Sequence, residues 1–145
     1  MPNTGFSIED GKALLAEAFA PWVLQQKLIP NVFSKTQATF TLPANNAHAL
    51  RGGPGAGFIC GQAIAAAADT ATVIALAGAN GRFRNCTTVD LAINYLRPLP
   101  MGDTTITVNI ESNGRKLATC RLTIQSKDAL KPAALATATF MYLEK

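Results

Sequence analysis

Residues 61–78, GQAIAAAADTATVIALAG, are small and apolar almost throughout, yet they carry one ionisable side chain, Asp69, in their middle. The run is too long for a strand and apolar all round, which predicts a helix from about residue 58 to 76, ended by Gly78 and the turn Asn80-Gly81. A helix apolar on every side must be covered on most of them. The rest of the chain therefore has to wrap one long helix. A bilayer would also cover it, but Ala and Thr dominate, and Gln62 and Asp69 would sit in hydrocarbon. A central Asp there costs about 2.5–3.5 kcal/mol.

The wrapping is legible downstream, where the apolar period changes to two. TTVDLAINYLRPL sets Val89, Leu91, Ile93 and Tyr95 on one face, and TTITVNIES does the same with Ile106, Val108 and Ile110. RKLATCRLTIQSK aligns Ala118, Cys120, Leu122 and Ile124, and ALATATFMYLE alternates small and aromatic residues as far as Tyr142. The joints are MGD at 101–103 and Asn113-Gly114, a hairpin signal. Upstream, Ser7-Ile8-Glu9-Asp10 reads as a capping box opening a helix through Leu14, Leu15, Ala18 and Phe19, stopped by Pro21. Residues 22–29 read as a further short helical turn, and 33–42 as a strand ended by Pro43. This order predicts a single α+β domain over 1–145, with a helical segment at 1–30 and a central helix within 57–77. One antiparallel sheet would curl around that helix.

Composition narrows the chemistry. Thirteen basic residues against nine acidic give a net charge of +4, scattered and with no nucleic-acid motif, so neither DNA nor RNA is an expected partner. Cys60, Cys86 and Cys120 form no C-x-x-C pair and have no ligand-spaced histidines, so neither a disulfide framework, a zinc site nor another cofactor is expected. MPNTGFSIEDGK carries acids where a secretory leader needs bases, and no apolar stretch follows. A cytoplasmic protein is expected.

On the long helix Gln62, Ala66, Asp69, Val73 and Leu76 fall roughly along one stripe. A desolvated carboxylate needs a partner. Three arrangements would satisfy Asp69: an ion pair, a position facing a cleft or a partner subunit, or work as a general base. Before it, RGGPGAGFICGQ brings a glycine-rich approach into the helix start, whose open N–H groups and positive dipole end polarise a carbonyl or hold an anion. No G-K-[ST] follows, so this is not a P-loop, and Cys60 stands where a dinucleotide fingerprint needs a third glycine.

The runs CGQAIAAAADTATVIAL and TTVDLAINYLRPLPMGD resemble the hotdog-fold acyl-CoA thioesterases of the phenylacetic-acid-degradation (PaaI-like) type. Those proteins carry H-G-G or S-G-P at a helix start and an acid eight residues after its glycine. A strand reading roughly T-[TV]-D/N-L-x-[IV]-x-[YF]-L-R-P and then G-[DE] comes next. Here Cys60-Gly61-Gln62 stands at the helix start, Asp69 lies eight beyond Gly61, and the strand motif is nearly intact, so the match covers 51–103. The resemblance implies a helix wrapped by an antiparallel sheet, and dimers or dimers of dimers with active sites at the subunit interface.

It also implies roles. The Gly61 N–H would hold the oxyanion, with Gln62 and Cys60 beside it. Asp69 of the other subunit would serve as general base or nucleophile, and the hydroxyl of Thr88 or Thr87 would orient water. For an acyl-CoA, Phe58 or Met101 is a candidate to line the acyl pocket, and Arg97, Arg82, Arg84 and Lys116 are candidates to contact the phosphates of CoA, Arg97 alone lying within the family motif. Two positions depart from the pattern: Cys60 replaces the usual histidine, and Gln62 the second glycine or the proline. The alternative is a non-catalytic hotdog module that binds acyl-CoA or a related ligand. Hydratase chemistry on this fold pairs its acid with a histidine, and the single histidine here, His48, lies in a loop.

Overall fold

A computed structural model describes residues 5–144. Helix α1 (Ile8–Ala18) starts on the expected capping box: Ser7 Oγ accepts from the Asp10 amide at 3.0 Å, and Asp10 Oδ2 accepts from the Ser7 amide at 2.9 Å. Pro21 then opens the single turn α2 (Pro21–Leu24), at a position where its missing N–H leaves nothing unbonded. The helical reading of 22–29 fails after that turn. A strand follows instead, β1 (Ile29–Phe33), antiparallel to β2 (Gln37–Leu42).

The segment 33–42, read as one strand, thus holds the last residue of β1, the hairpin turn and β2. Its turn is closed by Ser34, whose amide donates to Gln37 O at 2.8 Å and whose Oγ accepts from the Gln37 amide at 3.0 Å. Pro30 conceals β1 in the sequence, and the fold tolerates it because β1 is an edge strand with a register shift between Pro30 and Val32.

Helix α3 (Gly61–Asn80) begins and ends later than the sequence suggests. Gly81 terminates it in the left-handed region, at φ 76°. Gly78, read as a terminator, is buried inside the last turn, and a Cβ there would stand 2.9 Å from the Phe33 ring. Its role is close packing.

The remaining strands are β3 (Cys86–Tyr95), β4 (Thr104–Asn113), β5 (Leu117–Ser126) and β6 (Ala134–Tyr142). The sheet order is β1-β2-β4-β5-β6-β3, antiparallel throughout. Strand β3 therefore pairs with β6 and not with its successor, which a chain of simple hairpins would not do. The connection 96–103 crosses past the start of α3, where the Ile59 amide donates to Leu99 O at 2.9 Å and Phe58 bridges Pro100.

Phe40, Leu42, Ile106, Val108, Leu122, Ile124 and Phe140 form the inner surface of the sheet and bury Ala67, Ala68, Ala71, Ile74 and Ala75 of α3. Removing this aliphatic surface from water, at about 25 cal/mol per Å², is the main drive to wrap the helix. The two threonines buried on α3 return their hydroxyls to the helix backbone, Thr70 to Ala66 O and Thr72 to Ala68 O. By length and composition α3 resembles a membrane span, with a mean hydropathy of 1.4, yet 67% of that window is buried by the protein itself.

The Phe33 contact yields a stability test. Alanine gains up to about 1 kcal/mol over glycine in a helix, whereas overpacking a filled core costs about 1–3 kcal/mol. Gly78→Ala should accordingly lower stability in urea unfolding by about 1 kcal/mol net. A stability gain would show that Phe33 yields freely.

Candidate functional site

The start of α3 is held by its approach and left open at its tip. Cys60 is the N-cap in extended conformation, and its thiol makes no cap hydrogen bond, so the first amides of the helix have no side-chain acceptor. The preceding backbone is pinned on two sides: the Cys60 amide donates to His48 O at 2.8 Å and the Leu50 amide to Phe58 O at 2.9 Å. Burial lowers the pKa of His48, which keeps its imidazole neutral at physiological pH. From the end of β3, Tyr95 Oη donates to Gly61 O at 2.7 Å.

Two cavities flank this helix start. One, of about 550 Å³, is lined by Leu50, Phe58, Gly61, Ile64, Tyr95 and Arg97 among others. The other, of about 260 Å³, lies against Gln26, His48, Cys60 and Gln62.

About two turns further along α3, half-buried Asp69 accepts a hydrogen bond from Thr88 Oγ1 at 2.7 Å on its Oδ1. A bulge explains why Thr88 and not Thr87 makes this contact. Thr88 pairs with Phe140 and Asp90 with Thr139, so Val89 is an extra residue. One extra residue exchanges the two faces of a strand. Thr88, Leu91, Ile93 and Tyr95 consequently share the helix-facing side, while Thr87 pairs with the exposed Met141 on the other. Val89, read from its alternation as sharing a face with Leu91, Ile93 and Tyr95, is instead the bulged residue and 54% exposed.

Among the described residues no basic side chain pairs with Asp69, which removes the ion-pair reading and leaves the cleft or partner-facing one, with or without catalysis. Gly61 and Asp69 are separated by about 12 Å along the helix axis. Within one chain the carboxylate does not meet the helix start.

Of the three candidate arginines, Arg97 lines the same cavity as Gly61. Its Nη1 donates to Pro132 O and its backbone amide to Ala133 O at 3.2 Å. Arg82 and Arg84 follow the opposite end of α3, where both pair with Glu144 and Arg84 stacks 3.7 Å from the centre of the Tyr142 ring. Their hydrogen bonds hold the Glu144 carboxyl below the usual carboxylate range. Gln62 is exposed next to Cys60. Two polar groups at this end escaped the sequence reading. Tyr95 figured there only as a strand-face residue. Gln26, in a segment with no periodicity to mark it, is buried with Nε2 donating to Ala63 O at 3.0 Å.

Comparison with known proteins places the chain. A family model for the thioesterase superfamily matches residues 56–133, more than half of its length. Among solved structures, a thioesterase from Haemophilus influenzae is similar at 19% identity with a TM-score of 0.79, over 96% of this chain and 92% of that one. Zebra fish thioesterase superfamily member 2 gives 22% and 0.77, over 94% and 98%. The mouse thioesterase superfamily member 2 gives 18% and 0.77, over 92% and 96%. At such identities the likeness establishes the fold. A search of curated proteins finds no match. The chain belongs to the thioesterase superfamily and has its hotdog fold, a long helix wrapped by an antiparallel sheet.

Proposed function

We propose that the protein is an acyl-CoA thioesterase of the PaaI-like type, built as a homodimer or a dimer of dimers with its active sites between subunits. The observation that carries this reading is the Asp69–Thr88 pair, a hydroxyl-held carboxylate about 12 Å down the helix from the uncapped Gly61 end. Each half lacks what the other has. A second copy supplies it.

Geometry favours one particular pairing. Among the described residues strand β3 neighbours only β6, so its other edge, ten residues long, has no described strand beside it, and an open edge recruits a further strand. Helix α3 touches this strand through Gly61–Tyr95 and Asp69–Thr88. The midpoints of these two contacts are Ala65 on the helix and Leu91–Ala92 on the strand. A two-fold axis running beside both midpoints, between the two copies of β3, brings Asp69 of each subunit toward Gly61 of the other.

Hydrolysis then follows from the groups present. The thioester carbonyl lies at the helix start, its oxygen toward the Gly61 amide, with the acyl-CoA in the cavity of about 550 Å³. The partner's carboxylate, held at Oδ1 by Thr88, presents Oδ2 to water. As the water oxygen bonds to the carbonyl carbon, Asp69 takes its proton and the carbonyl oxygen becomes the oxyanion. The intermediate collapses by breaking the C–S bond. The departing thiolate takes up the proton, and free acid and CoA leave. Arg97, with guanidinium donors beyond the one spent on Pro132 O, is placed to meet the anionic part of CoA.

A panel of short aliphatic, long aliphatic and aromatic acyl-CoAs tests this by thiol release. Asp69→Asn should lower kcat about 10²–10⁴-fold on whichever class turns over, with the fold intact. Binding of acyl-CoA without turnover by the wild type would favour the non-catalytic module. The bulge adds a sharper expectation. Thr88→Val should cost about tenfold or more in kcat, through the lost hydrogen bond to a charged group, and Thr87→Val should stay close to wild type. The reverse order would mean that the bulge does not set the site.

A further inference from the structure

Tyr95 is bound to the peptide on which the helix start turns. Its Oη donates to Gly61 O at 2.7 Å, and its ring lies tight against the place where a side chain at 61 would begin: a Cβ there would lie 3.3 Å from Cζ and 3.4 Å from Oη. The accepting carbonyl belongs to the peptide whose N–H is that of Gln62, one unit beyond the amide of Gly61. Apart from the helix's own hydrogen bonds, this is the bond that holds the Gly61–Gln62 peptide among the described residues. No capping side chain helps it, since Cys60 makes no cap bond, and glycine leaves the backbone its widest freedom.

We propose that Tyr95 is the positioning residue of the oxyanion-binding helix start, its hydroxyl holding the peptide next to the Gly61 amide and so fixing the orientation of the first turn of α3 in the direction a developing oxyanion requires. The proposal rests on the thioesterase reading for the identity of that anion. A donor fixed before reaction stabilises a transition state more than one that must be reoriented. Burial, with a smaller contribution from Cys60, pushes the pKa of the Tyr95 hydroxyl up, so the phenol remains a donor throughout the neutral range. Thr88 and Tyr95 lie on the same strand, so β3 orients both halves of the site: the carboxylate through Thr88 and the amides through Tyr95.

Tyr95→Phe keeps the ring against Gly61 and removes only the hydrogen bond. The expected result is a fall in kcat of about 5- to 20-fold with KM changed less than about twofold, because the lost interaction acts in the transition state. Amide exchange should quicken at Ile64 and Ala65, whose hydrogen bonds close the first turn, while the oligomeric state stays that of the wild type. Unchanged kcat and unchanged exchange would overturn the proposal. So would a loss confined to KM, which would make Tyr95 a wall of the substrate cavity only. Failure of the thioesterase reading is recognised separately, by absence of turnover in the wild type. In that case the exchange measurement alone decides whether Tyr95 holds the first turn.

Discussion

Ala67, Ala68, Ala71 and Ala75 let the inner face of the sheet close on α3 with almost no intervening side chain, and the rest of the molecule depends on that contact. A helix of this kind has little stability of its own in water and gains it from burial. All six strands, together with α1 and α2, cover it on all but one stripe. The stripe left open carries Gln62 at one end and Asp69 beyond it. Gln62 and Asp69 lie where the wrapping stops, whereas the buried Thr70 and Thr72 return their hydroxyls to the helix backbone.

The edge strand β3 closes the argument between fold and site. It reaches α3 through two hydroxyls, Thr88 to the carboxylate and Tyr95 to the helix start, and presents its other edge to whatever adds to the sheet. The bulge at Val89 is what makes Thr88 available: without the extra residue, Thr88 and Tyr95 would face opposite sides of the sheet. Bulges recur beside active sites for this reason, re-aiming one side chain without disturbing the rest of the ladder. The arginines at the opposite end of the helix have a different part, fastening the C-terminal residues through Glu144 and Tyr142.

What the sequence discloses and what it conceals follow from the range of the forces involved. The Ser7–Asp10 capping box, the long helix, the four later strands and the Asn113-Gly114 turn rest on local preferences, and all can be read from neighbouring residues. Strand β1 cannot, since Pro30 argues against a strand and only pairing with β2 overrules it. The choice of β6 as partner of β3 depends on how the sheet closes over the helix, and short joints between strands suggest a different order. Gly78 looks like a helix terminator until Phe33 is found against it. At the candidate site, Asp69 stands out in the sequence as the lone ionisable group of the helix and Gly61 enters through the family resemblance, whereas the contact of Thr88 with Asp69 needs the bulge, and the bond of Tyr95 to Gly61 needs the fold.

Subunit complementation tests whether Gly61 of one subunit works with Asp69 of another. A Gly61→Val variant and an Asp69→Asn variant, each inactive alone, are mixed in equal amounts under conditions that exchange subunits. A site shared across a two-fold axis regenerates one intact centre in each hybrid dimer, which predicts recovery of about a quarter of the wild-type thioesterase rate. No recovery, with exchange of subunits demonstrated by mass, would contradict the shared site.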